Sequence, residues 1–84
     1  MKLWEERLIS GAQDLIHQER EMMAALREIR RRRGLSQAVV AKRMGVTQPA
    51  VAAFESYDAN PTMGSIRRYA LAVGAQLRIE VTEA

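Results

Sequence analysis

Thirteen Lys and Arg side chains, ten carboxylates and one histidine carry the chemistry available to this 84-residue chain. Their arrangement favours contact over catalysis. His17 stands alone and the chain has no cysteine, so neither a thiolate nucleophile nor a zinc ligand set can be built. No metal or cofactor is expected. Ser10, Ser36 and Thr47 each precede a helical pattern and serve better as caps than as nucleophiles. The sequence offers no glycine-rich phosphate loop and no close carboxylate pair in a plausible cleft, and so describes no enzyme. The charges are unevenly placed. Residues 1–26 hold three cations against five carboxylates, whereas residues 27–84 hold ten against five. The basic part suits phosphate, and the acidic arm suits a different partner.

The stretch Gln37 to Tyr57, QAVVAKRMGVTQPAVAAFESY, must position whatever meets that phosphate. Val40 and Met44 lie four apart on one helical face, and Val51 and Phe54 lie three apart on another. Gly45 falls where the first helix must end, because a left-handed C-cap costs glycine nothing. Thr47 follows as an N-cap, and Ala41 is small where the second helix has to cross close. This pattern is the steric signature of a helix-turn-helix, which implies DNA binding. A recognition helix enters the major groove N-terminus first, so Thr47, Gln48 and Pro49 reach deepest. Lys42 and Arg43 fall on the outer face of the preceding helix, which lies across the backbone; Arg43 is expected to meet phosphate.

Before this unit, apolar residues from Trp4 to Ile29 follow a heptad, Leu8, Leu15, Met22 and Ile29, widened by Ile9, Ile16 and Met23. That is one amphipathic helix, or two if the capping-box form of Ser10-Gly11-Ala12-Gln13 restarts the chain. Its exposed half either lies on its own domain or binds a partner through Leu8, Leu15 and Ile16. Leu26 to Arg33 should form the first helix of the core, ended by Gly34, with Ser36 capping the next. After the recognition segment, Asp58 to Pro61 is a turn. Thr62 then caps a last helix carrying Met63, Ile66, Tyr69, Ala70 and Val73 inward, closed by Gly74. Gln76 to Thr82 alternates, with Leu77, Ile79 and Val81 on one face, as a strand does. A lone strand lacks a ladder, so a homodimer paired through these residues is expected.

Length and composition allow one domain with a small core: 84 residues, 48% of them apolar. Within it, 1–21 reads as a helical extension, 22–74 as the DNA-binding unit and 75–84 as a dimerisation strand and tail. No apolar run approaches a membrane span, and MKLWEER turns acidic too early for a signal peptide. A cytoplasmic protein, bacterial or phage-encoded, is expected.

Residues 26–74 resemble the five-helix DNA-binding fold of the lambdoid phage repressors and Cro, the XRE family. The resemblance rests on GLSQ (34–37), the Gly45-Val46-Thr47-Gln48 turn, Glu55 and NPT (60–62). The final MGSIRRYALAVGAQLRIEV is similar to small HigA-like and HipB-like antitoxins, in which a strand follows the last helix. The resemblance implies a mainly α fold, a lambda-repressor-like core with an N-terminal helical extension and one C-terminal β-strand. It implies that Gln37 donates to phosphate, and that Gln48, Pro49 and Ala53 face base edges. Thr47, Ser56, Asn60 and Thr62 would lie along the DNA backbone, and Arg30 with Glu55 would form a structural ion pair.

An amide at position 48 suits adenine, offering one donor and one acceptor in a bidentate match of ~1–3 kcal/mol. Around it stand Pro49, Ala50, Ala52 and Ala53, which can touch a thymine methyl but read no donor pattern, so direct readout is thin and DNA shape matters more. Two functions fit. One is an autoregulatory repressor binding a pseudo-palindromic operator, as the antitoxin of a toxin–antitoxin module. The other is a protein-interaction module whose N-terminal helix neutralises a toxin of the RelE/HigB type, with DNA binding secondary.

Overall fold

A computed structural model describes residues 2–83; Met1 and Ala84, at the ends of the expected extension and tail, lie outside them. Among the described residues there are four helices: α1 (Lys2–Arg32), α2 (Gln37–Met44), α3 (Gln48–Glu55) and α4 (Met63–Val73). The mainly α expectation holds, but the five-helix core and the C-terminal strand do not. The core is the C-terminal part of α1 packed with α2, α3 and α4, and residues 75–83 form no strand. A strand exists only as a member of a ladder, and among the described residues no segment pairs with this one to form a ladder. Leu77 also leaves the expected row: it is half-buried against the core, while Ile79 and Val81 face solvent.

Of the two readings of the N-terminal stretch, one helix or two, the structure has one, without a restart at Ser10-Gly11. α1 is continuous for 31 residues, because the apolar heptad on both sides of Gly11 keeps one helical phase. A glycine inside a helix costs about 1 kcal/mol, too little to break it. At 1.5 Å per residue α1 is about 46 Å long, and it accounts for the 49 Å long axis of the molecule. Its N-terminal half projects beyond the core as an arm.

Local chemistry sets the other three helices. Ser36, Thr47 and Thr62 sit in extended backbone and accept from Val39, Ala50 and Ser65 N–H groups at 3.1, 3.2 and 3.1 Å, which caps α2, α3 and α4. Pro49 stands in the first turn of α3, where its missing donor is not needed. Gly45 takes φ +71°, so that Val46 N–H reaches back to Ala41 O at 3.0 Å and Gly45 N–H to Lys42 O at 3.3 Å. That left-handed residue turns the chain from α2 into α3. Ala41, buried at the crossing, leaves room for Val51 of α3. Val40, Val51, Tyr69 and Val73 are fully buried, joined by Met23 and Leu26 from α1. Met63, expected inward, is exposed, one residue past the Thr62 cap.

Gly45→Ala isolates the backbone requirement of the turn, because a Cβ there meets nothing within 4 Å. The expected loss is about 1 kcal/mol, lowering the Tm by about 4–8 °C in a thermal melt. An unchanged Tm would show that the turn does not depend on a left-handed glycine.

Candidate nucleic-acid interface

Among the described residues Glu55 is the buried charged one, at the last turn of α3. Its carboxylate accepts four hydrogen bonds. Arg30 on α1 grips it as a fork, Nε to Oε2 at 2.7 Å and Nη2 to Oε1 at 3.0 Å. Tyr69 on α4 donates its hydroxyl to Oε2 at 2.6 Å, and Gln37 on α2 donates Nε2 to Oε1 at 3.1 Å. The backbone carbonyl of Glu55, one of the orphans of the α3 C-terminus, accepts from Arg27 Nη1 at 2.9 Å. Arg30 spends a further N–H on Leu35 O at 2.9 Å. One carboxylate thus ties α3 to the other three helices. Arg30 and Glu55 are the pair read from the motifs; Arg27 and Tyr69 were not anticipated. For Tyr69 the signal was present, since an inward tyrosine needs a partner for its hydroxyl.

Burial pushes the Glu55 carboxyl up, but hydrogen bonds from Arg30, Tyr69 and Gln37 outweigh it and hold the pKa below its ordinary value. Arg30 moves the other way, raised chiefly by its hydrogen bond to Glu55. The Tyr69 phenol is pushed up, first by burial and then by the carboxylate it donates to. Phe54 stacks on its ring at 4.7 Å.

The network continues to the surface. A carboxylate can only accept, so Gln37 must turn its amide N–H toward Glu55 and its Oε1 outward. That oxygen accepts from Gln48 Nε2 at 2.6 Å. The orientation of the Gln48 amide is thereby set: one N–H is spent on Gln37, leaving one N–H and Oε1 free. Gln48, Pro49 and Ala53 are all exposed on α3. Thr47 and Thr62 are exposed caps, and Asn60 is exposed in the connecting loop. Ser56 is exposed too, with its Oγ held locally, 2.9 Å from Ala53 O and 3.0 Å from Asp58 Oδ1. Arg43 is directed elsewhere, donating Nη1 to Ala72 O at 2.8 Å near the end of α4. The structure therefore gathers Gln37, Thr47, Gln48 and Pro49 at the joined N-terminal ends of α2 and α3, and commits one Arg43 donor to holding α2 on α4.

Two short helices joined by a left-handed glycine, the second presenting its N-terminus to solvent, define a helix-turn-helix domain. The chain belongs to the helix-turn-helix family, whose model matches residues 26–78. It is similar to the protein named Antitoxin HigA1 in two strains of Mycobacterium tuberculosis, 41% identical to each over 69 residues. That match takes in 82% of this chain and 46% of each relative, so the chain spans about half the length of the curated relatives it matches. No solved structure gives a significant match.

Because the folded Glu55 pKa is depressed, its contribution to stability is complete above the unfolded value of 4.5 and is lost as pH falls through the lower folded value. Urea unfolding of the wild type between pH 7 and 3 should show stability dropping below about pH 4.5. Glu55→Gln should be less stable at pH 7 and flatter below that point; an equal slope would show that other carboxylates govern the acid limb. Glu55→Ala, which leaves the Arg30 charge buried and unanswered, should cost about 3–5 kcal/mol.

Proposed function

We propose that this chain is a sequence-specific DNA-binding repressor that controls its own promoter and serves as the antitoxin of a toxin–antitoxin module. It acts in the cytoplasm as a homodimer on a pseudo-palindromic operator, with a RelE/HigB-type toxin as its protein partner. Family membership and the likeness to antitoxins support the class. The observation that carries the DNA reading is the Gln48 amide, exposed at the mouth of α3 and oriented from behind by Gln37.

One free N–H and one free oxygen match adenine, which offers N7 as acceptor and its N6 amino group as donor. Guanine offers two acceptors, and Gln48 has one N–H left for them while the other stays on Gln37. The second N–H of Gln37 remains available for a phosphate. Pro49 and Ala53 add apolar contact suited to a thymine methyl, so the expected half-site is rich in A·T pairs. No helix among the described residues is long and apolar enough to cross a membrane.

The test is Gln48→Ala against an operator panel substituted one base pair at a time. Affinity for the native site should fall by about 1–3 kcal/mol, with discrimination lost at a single A·T position per half-site. Uniform loss across all sequences, scrambled DNA included, would mean that Gln48 makes no base contact. For the antitoxin half, co-expression with a RelE/HigB-type toxin encoded beside this gene should restore growth that the toxin alone arrests. Arrest that persists would remove the toxin from this reading.

A further inference from the structure

The face of α1 that enters the core does not stop at the edge of the core. Met22 and Leu26 lie on it, and at helical spacing the same face carries Leu15, Leu8 and Trp4. Leu26 is 2% exposed, whereas Leu8, Leu15 and Trp4 are between 61% and 66% exposed. Ile9 and Ile16, the neighbours that widen the stripe, are 61% and 47% exposed. A surface helix with one face apolar along its whole length, covered over only one half, calls for a cover over the other.

We propose that the cover is the arm of a second copy of this chain, laid antiparallel and crossing at Gly11. This takes up the two-copy state proposed above and says where the copies meet. The charges specify the occupant. Arg7 and Asp14 lie at equal distances on either side of the midpoint between Ser10 and Gly11, each directly before a leucine of the stripe and so on the same flank of it. A two-fold axis through that midpoint brings each arginine toward the aspartate of the other copy, at two places in one dimer. A parallel pair would set like against like. Within one helix Arg7 and Asp14 are about 10.5 Å apart along the axis, too far to serve each other.

Sterics agree with this register. Ser10, Gly11 and Ala12 are small at the crossing, and a Cβ on Gly11 would meet nothing within the chain. Glycine there costs the helix about 1 kcal/mol, a cost that close approach of a second backbone accounts for. The arm also has the right length. In this register the start of one arm ends beside Glu19 and Arg20 of the other. There a concavity of about 250 Å³, lined by Ile16, Glu19, Arg20, Tyr57 and Asp58, opens against the α3–α4 loop. Its wall is fixed by Arg20, which donates to the Tyr57 hydroxyl at 3.0 Å and lies 4.3 Å from the ring centroid.

Sedimentation equilibrium of the full chain tests this, with circular dichroism confirming that every variant stays helical and melts as one unit. The wild type should be a dimer at 100 µM or below, and the double variant Leu8→Glu with Leu15→Glu should be a monomer there. Arg7→Asp alone and Asp14→Arg alone should each weaken the dimer about 3- to 10-fold, and the two combined should restore it, which only the antiparallel register allows. A monomeric wild type would overturn the two-copy state itself and leave the arm to another protein. A dimer that survives the Leu8 and Leu15 changes would keep two copies but overturn the arm as their interface. Charge variants that are not rescued in combination would overturn the register.

Discussion

A carboxylate removed from water must be answered on every lone pair, and in this fold that demand falls on Glu55. Its partners are an arginine of α1, a glutamine of α2 and a tyrosine of α4, so the condition is met only when all four helices are in place together. The apolar contacts of Val40, Val51 and Val73 supply the larger share of burial but tolerate small slides. Hydrogen bonds with fixed donors do not. Replacing the pair by apolar residues of similar volume need not lower stability. What the pair adds is a defined angle for α3, the helix whose exposed end bears Gln48.

The same acceptor-only carboxylate has a consequence at the surface. It dictates which way the Gln37 amide points, and Gln37 dictates which way Gln48 points. A residue with two equivalent-looking ends is thereby presented in one orientation, with its donors and acceptor counted before any DNA arrives. Pre-organisation of this kind matters more where the recognition helix is otherwise Pro49, Ala50, Ala52 and Ala53, because few other polar atoms are present to correct a misplaced amide.

Much of this was legible in the sequence, for stated reasons. The left-handed glycine at 45, the caps at 36, 47 and 62, and the spacing of Val40, Met44, Val51 and Phe54 are local requirements, and local requirements show in local sequence. The likeness of Arg30 and Glu55 to a known pair anticipated their contact across 25 residues. Tyr69 and Arg27 were missed because periodicity reports which face a residue occupies, not which polar atom lies opposite. The strand at 76–82 was misread because alternation of Leu77, Ile79 and Val81 describes a face and not a ladder; Leu77 in fact turns back onto the core. Whether α1 was one helix or two stayed open in the sequence because a capping-box pattern at Ser10-Gly11 competes with an unbroken heptad on either side, and the heptad wins.

The central claim is that this chain reads DNA sequence, and the most direct measurement is a titration against its own upstream DNA beside a scrambled fragment of equal length and composition, repeated over several salt concentrations. The account predicts binding to the native fragment tighter by about a thousandfold or more, with a preference that survives as salt weakens both. Equal affinity for the two fragments, fading steeply and together with salt, would contradict it and reduce the interface to phosphate contact alone.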